Sequence, residues 1–310
     1  MKNKITAKDT ILIAGGSGFI GRRLAERCLK LTPNVTCLGA PNDRCDLKGV
    51  KLLRVDIRSA EDVSKALSGK RFNYVFNLSG YIDHRPYFDG GRAVIDTHLA
   101  GLMNIVSCLD RSALKGFVQV GSSDEYGDAP APQEESIRES PISPYSFSKA
   151  AATYFVTMLS RIEKFPGVVL RFFLVYGPGQ DDRRFLPQII KACLNNEKFK
   201  TSEGIQARDF CYIDDVVEAM VMAAVSVKAR GHIINVASGK PVLIRDMVKK
   251  VIRIAGGGMP LWGAYPYKNG ENMKLYADIS LAGSILGWRP RVTLEEGLKA
   301  TIDYYSKIRK

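Results

Sequence analysis

Thr10-Ile11-Leu12-Ile13-Ala14-Gly15-Gly16-Ser17-Gly18-Phe19-Ile20-Gly21 is an apolar run that breaks into glycines and resumes as a helical pattern. A short apolar run ahead of a glycine cluster predicts a buried strand. Gly15, Gly18 and Gly21 are spaced G-x-x-G-x-x-G. Without a Cβ, Gly15 can make the tight turn, Gly18 can let backbone approach a pyrophosphate, and Gly21 can let helix and strand pack closely. Phe19 and Ile20 then open a helix whose first N–H groups face the phosphates. A glycine pattern alone is weak, but a strand before it and a helix after it make it a dinucleotide-binding turn.

Outward from this turn, short apolar runs alternate with helical periodicity. Strands are expected at 10–14, 35–38, 51–55, 74–78, 117–120, 168–175 and 233–236, and helices at 19–31, 61–67, 92–109, 144–163 and 214–225. The alternation predicts an α/β fold, a doubly wound parallel sheet with helices on both faces. The last third reads as helices at 244–255, 279–286 and 294–306 separated by Gly- and Pro-rich loops. A smaller interleaved substrate lobe is therefore expected. Residues 1–176 with 209–240 would form the dinucleotide domain, and 177–208 with 241–310 the lobe. The loop 127–144 is expected over the site.

The chain has 310 residues, 45% hydrophobic and 25% charged, with a net charge of +13. This is ordinary for a globular protein. The charge forms no long run, so it reads as a diffuse surface excess or a preference for anionic small molecules, with no nucleic-acid partner. No apolar stretch is long enough to span a bilayer, so no membrane partner is expected. The six cysteines, Cys28, Cys37, Cys45, Cys108, Cys193 and Cys211, make no C-x-x-C pair and lack zinc-ligand spacing. They read as reduced thiols of a cytoplasmic protein without a metal.

The end of the second strand bears on the cofactor. An NAD site has an acidic residue there for the ribose 2′-hydroxyl. Here Gly39 holds that place, with Arg44 nearby and Arg22 and Arg23 past the glycine turn. Arginine suits a 2′-phosphate, which favours NADP(H) over NAD(H). Asp43 or Asp46 remains within reach of the ribose. Asp56 and Ile57, after the third strand, would sit beside the adenine.

Tyr145 and Lys149 form Y-x-x-x-K at the start of a helix, on one face. A free tyrosine, with a pKa of about 10, is a poor base at neutral pH. A neighbouring ammonium stabilises the phenolate and makes proton transfer feasible. The same spacing also arises by chance on helix surfaces. Ser122 closes the fifth strand, at the carboxyl edge where such folds bind ligands. It could hold the reacting oxygen, or simply end the strand.

Together these pieces resemble the extended short-chain dehydrogenase/reductase family, the nucleotide-sugar epimerases and dehydratases. Asn77-Leu78-Ser79-Gly80 resembles its cofactor-contacting H/N-L-A-A. The stretches 170–173, 175–179, 208–215 and 286–290 also resemble family motifs. The resemblance implies Tyr145 as general acid/base, Lys149 on Tyr145 and the nicotinamide ribose, and Ser122 on the substrate oxygen. It implies cofactor contacts at Gly15, Gly18, Phe19, Ile20, Gly21, Gly39, Arg44, Asp56, Ile57, Leu78, Ser79 and Gly80. Arg208 would hold the diphosphate of a nucleotide-diphosphate sugar, with Ser123, Asp124 and Tyr81 near the sugar. His98 departs from the family, replacing an asparagine, and is expected to pack rather than react.

Ser122-Ser123-Asp124-Glu125-Tyr126-Gly127 resembles the turn of the nucleoside-diphosphate 4-keto-6-deoxyhexose reductases, as do 204–210 and 263–271. The resemblance therefore favours a 4-keto reductase acting at the sugar C4. A 4-epimerase comes next, then a 4,6-dehydratase, since Asp124 falls where dehydratases carry glutamate. A catalytically silent cofactor-sensing scaffold is the non-enzyme alternative. Family analogy also implies a homodimer through the helices 92–109 and 144–163.

Overall fold

The computed structural model describes residues 4–44, 46–267 and 270–308. Cys45, and Lys268 and Asn269 of the 263–271 stretch, lie outside the described residues. In chain order the elements are β1 (Ile11–Ala14), α1 (Phe19–Leu29), β2 (Val35–Gly39), β3 (Val50–Arg54), α2 (Ala60–Leu67), β4 (Tyr74–Asn77), α3 (Arg92–Ile95), α4 (Gly101–Ser107), β5 (Gly116–Ser122), α5 (Pro144–Glu163), β6 (Gly167–Phe172) and β7 (Leu174–Tyr176). They continue with α6 (Phe185–Leu194), β8 (Lys198–Lys200), β9 (Ala207–Arg208), β10 (Phe210–Tyr212), α7 (Ile213–Val225), β11 (Ile233–Val236), β12 (Val242–Leu243), α8 (Ile244–Ala255), β13 (Met259–Leu261), β14 (Lys274–Leu275) and α9 (Leu294–Ile308).

Seven strands form one sheet in the order β11-β6-β5-β4-β1-β2-β3, and every pairing is parallel. β1, β4, β5 and β6 are buried throughout, because helices cover both faces. Leu24, Ala25 and Cys28 of α1 pack with Val216, Val217 and Met220 of α7 on one face. Val63 and Leu67 of α2, Leu102 and Ile105 of α4, and Val156 and Leu159 of α5 cover the other. The strand order reverses between β1 and β4, which opens a crevice at their carboxyl ends. This is the expected doubly wound α/β fold.

Three local expectations need correction. The strand at 168–175 is two strands: β6 stays in the main sheet, while β7 pairs with β10. The helix at 92–109 is broken by a π-helical turn, Asp96–Ala100, between α3 and α4. The helix at 279–286 is mostly a π-helical turn, Ala282–Leu286. The helix α6 and the short strands β8, β9, β12, β13 and β14 were not foreseen.

The start of α5 is fixed locally. Ser143 and Ser146 form a reciprocal cap and Pro144 takes the first helical position. Two carboxylates brace the C-terminal part. Asp209 accepts from Ser238 N at 2.7 Å and Gly239 N at 2.9 Å. Asp215 accepts from Arg291 N at 3.0 Å and Val292 N at 2.9 Å, beside Trp288, whose indole donates to the Asp215 carbonyl at 3.0 Å. Loop 127–144 is laced down through buried Gln133, whose N–H donates to the Tyr276 carbonyl at 2.9 Å and whose carbonyl accepts from Asn235 at 3.0 Å.

Candidate active site

The glycine turn crosses the β1 edge of the crevice. Gly15 adopts φ +80°, and a Cβ there would lie 2.8 Å from the Leu78 carbonyl carbon. A Cβ on Gly21 would lie 2.1 Å from the Gly15 oxygen. No side chain caps α1, and the first helical bond is Arg22 N to the Gly18 carbonyl at 2.8 Å. The N–H groups of Phe19 and Ile20 therefore remain to receive an anion. This close-set, side-chain-free cradle fits a dinucleotide pyrophosphate.

Around it stand the other expected cofactor residues. Gly39 ends β2, and a Cβ there would meet the Asp43 side chain at 3.0 Å. Asp43 turns back: its Oδ2 accepts from Ala40 N at 2.9 Å and from the Ser17 hydroxyl of the glycine turn. Arg44 and Arg22 are exposed. Arg23 is bound to Asp214 at 2.5 Å and to Glu26 at 3.0 Å. Asp56 pairs with Arg58 at 2.6 Å, which holds its carboxyl below the usual range. The Ile57 carbonyl accepts from Asn104 at 2.9 Å. Leu78, Ser79 and Gly80 follow β4, with the Ser79 hydroxyl on Asn77.

Ser122, Tyr145 and Lys149 meet at the β5 edge. Ser122 ends β5, and its hydroxyl is within hydrogen-bonding reach of the Tyr145 phenol. Lys149 lies one helical turn after Tyr145, with Nζ 5.9 Å from the ring centre. Its ammonium donates to the Val120 carbonyl at 3.0 Å. Burial brings Lys149 down to about 8, against the opposing pull of Glu125 and Asp124. Burial pushes the Tyr145 phenol up, and Asp124 adds to this while Ser122 opposes it. The tyrosine thus holds its proton at neutral pH beside a lysine poised to lose one.

Two imidazoles flank the tyrosine. His98 packs edge-on at 5.5 Å between ring centres, and His84 at 5.3 Å. The π-turn presses His98 inward: Nε2 donates to the Tyr81 carbonyl at 2.9 Å, and a Cβ on Gly80 would lie 2.2 Å from its ring. Burial, helped by the charge on Lys149, takes His98 down to about 3, so it is neutral. Tyr81 is half-exposed at the mouth, Ser123 is buried, and Asp124 lies 3.7 Å from His84 Nε2. Arg208 is buried and ion-paired with Glu271, not with Asp209 or Glu203, and donates to the Ala207 carbonyl at 2.8 Å.

The sequence suggested no role for Glu125, Arg171 or Glu139, whereas His84, in a loop polar enough to face either a sugar or solvent, stands against Tyr145. For Glu125 a signal exists: Ser122-x-x-Glu125 is a capping box, and both of its bonds form. Among the described residues no helix is long and apolar enough to cross a membrane.

Comparison with known proteins follows the same lines. The curated UDP-glucuronate 4-epimerase of Thermodesulfobacterium geofontis is 27% identical over 311 residues, covering 94% of this chain and 95% of that protein. The human dTDP-D-glucose 4,6-dehydratase is 27% identical over 313 residues, covering 95% and 89%. The Thermus thermophilus UDP-glucose 4-epimerase, solved in complex with NAD, superposes with a TM-score of 0.86 at 26% identity, covering 96% of this chain and 99% of that one. The model of the "NAD dependent epimerase/dehydratase family" matches residues 11–237, most of the chain. By its glycine cradle, its Ser122–Tyr145–Lys149 cluster and this match, the chain belongs to the NAD-dependent epimerase/dehydratase family.

Proposed function

We propose that the protein is a nucleotide-sugar 4-epimerase that retains its dinucleotide as NAD(H). The carrying observation is Asp43. Its carboxylate, bonded to Ala40 N and Ser17, occupies the end of β2, where a ribose 2′-hydroxyl would donate to it and a 2′-phosphate would be repelled. Of the three arginines that favoured NADP(H), Arg23 is committed to Asp214 and Glu26, while Arg44 and Arg22 stand exposed. An NAD site suits a redox-neutral reaction that regenerates its cofactor each turnover. The curated relatives, named as epimerases and dehydratases, support this ordering over the 4-keto reductase favoured by the motifs.

In this reading a bound nicotinamide would supply the hydride acceptor and donor at the sugar C4, with the keto-sugar turning between the two transfers to present its other face. Burial favours the Tyr145 phenol, so Tyr145 would take the proton of the C4 hydroxyl only with its phenolate offset by the positive charge of Lys149 beneath it, and would then give the proton back while Ser122 holds the same oxygen. Gly15, Gly18, Phe19, Ile20 and Gly21 receive the pyrophosphate. Gly39, Asp56, Ile57, Leu78, Ser79 and Gly80 line the nucleoside and nicotinamide, and Arg44 stays at the rim. Arg208 turns to the diphosphate of the nucleotide sugar, while Ser123, Asp124 and Tyr81 face the sugar. Residues 1–176 with 209–240 hold the dinucleotide, and 177–208 with 241–310 the nucleotide sugar.

A 4,6-dehydratase is the second reading. The His84–Asp124 pair beside Tyr145 supports it, because elimination of water needs a further acid and base.

The protein acts as a homodimer in this proposal. Phe147, Tyr154, Met158 and Ile162 are exposed at helical spacing on α5, Met103 is exposed on α4, and these apolar groups bury when two copies meet.

Denaturing freshly purified protein and identifying the released nucleotide tests the cofactor assignment. NAD(H) near one per chain is expected. Released NADP(H), or an empty protein stabilised by NADPH more than NADH, would return the reading to a reductase.

A further inference from the structure

Glu125 is fully buried, and its carboxylate joins the two elements that carry the reacting groups. Oε1 accepts from the Ser122 N–H at 2.8 Å. Oε2 accepts from the Thr153 hydroxyl at 2.8 Å and from Arg171 Nε at 2.9 Å. Thr153 lies one turn past Lys149 and two past Tyr145, so the three share a face of α5. Arg171, fully buried in β6, also pairs with Glu139 from loop 127–144 and lies 4.6 Å from the Tyr126 ring centre. Its Nη1 has no hydrogen-bond partner. Buried ion pairs of this kind are often no more stabilising than apolar side chains of similar volume. Stability therefore does not account for a buried carboxylate here, whereas two of its partners belong to the elements of the site: the Ser122 N–H at the end of β5 and Thr153 on the helix of Tyr145 and Lys149.

We infer that Glu125 is a positioning residue for the reaction: its carboxylate sets the spacing between Ser122 and the Tyr145–Lys149 pair, and its negative charge acts on the proton they exchange. The inference rests on Tyr145 and Lys149 being the proton-transfer pair of the proposed function. Glu125 and Asp124 are the negative groups that act on Lys149, and the same two act on Tyr145. Arg184 opposes them at Tyr145, His98 and His84 pack on the phenol ring, and Arg171 compensates Glu125 from behind.

The test uses whole protein carrying Glu125→Gln, and a Glu125→Gln/Arg171→Met double variant that also removes the cation, which Glu125→Gln leaves to Glu139 alone. Lys149 ionisation is followed by NMR of ε-13C-lysine-labelled protein, its signal assigned by loss in Lys149→Met. This readout needs no substrate. Loss of a nearby negative charge makes Lys149 give up its proton more readily, so its midpoint falls by about half a pH unit or more in both variants. In turnover of UDP-glucuronate, kcat falls about 10- to 100-fold with KM within about threefold, and the acid limb moves to lower pH. Recovered thermal stability in the double variant, with the NMR shift retained, separates positioning from folding. An unmoved Lys149 midpoint in both variants overturns the inference. If wild type ignores UDP-sugars while the midpoint still shifts, the proposed function fails and the placement of Glu125 stands.

Discussion

Lys149→Met should make the protein more stable and nearly inactive. Burial lowers the Lys149 ammonium from an ordinary 10.5 to about 8. At about 1.4 kcal/mol for each tenfold change in proton affinity, holding the charged form inside costs about 3 kcal/mol. That cost applies in full below about pH 8, where the lysine is charged in both folded and unfolded chains. Between about 8 and 10.5 the unfolded chain binds the proton and the folded one does not, so wild-type stability rises with pH. Above 10.5 both are neutral and the cost is gone. Methionine keeps the packing but loses the 3.0 Å bond to the Val120 carbonyl, worth about 1 kcal/mol. Urea unfolding at pH 7 should therefore show Lys149→Met about 2 kcal/mol more stable, with the advantage vanishing by pH 10.5. Activity should fall roughly 100-fold or more. A variant more than about 1 kcal/mol less stable than wild type at pH 7, or a difference that ignores pH, would mean that the buried Lys149 charge is not a cost to the fold.

Three further outcomes can be checked. Gly21→Ala places a Cβ 2.1 Å from the Gly15 oxygen, so the turn must open; the purified variant should release less than about a tenth of the wild-type nucleotide, and full occupancy would contradict the cradle. Asp43→Asn removes the carboxylate at the ribose edge, and the NADP/NAD affinity ratio measured by cofactor fluorescence should rise about 10-fold; an unchanged ratio would deny Asp43 its role. Met158→Glu with Ile162→Glu puts two charges on the exposed face of α5 and should leave a monomer in sedimentation at micromolar concentration; a wild type already monomeric would remove the dimer.

What the sequence made legible was local. The glycine turn and the Tyr145–Lys149 spacing each sit within a few residues, where backbone sterics and helical period dictate geometry. The ribose edge was harder, because its carboxylate arrives four residues late. The chain turns back after Gly39, with Asp43 N bonded to the Ala40 carbonyl at 2.9 Å, so Asp43 fills the place that Gly39 leaves open. The split of β6 from β7 carries no glycine or proline; the chain changes partners at Phe173, from Val236 to Asp209. α6 hides behind Pro187, which reads as a breaker yet stands in the first turn, where no helical N–H is needed. The Glu125–Arg171–Glu139 cluster draws on three separate segments, and only tertiary packing brings them together.

The proposed reaction is redox-neutral inversion at the sugar C4 by a protein that brings its own NAD. The most direct measurement is proton NMR of UDP-glucuronate and UDP-glucose with purified protein and no added cofactor. One of them is expected to convert to its C4 epimer over many turnovers, and Tyr145→Phe to abolish the conversion. Conversion only with stoichiometric consumption of added NADPH, or loss of water to a 4-keto-6-deoxy sugar, would contradict it.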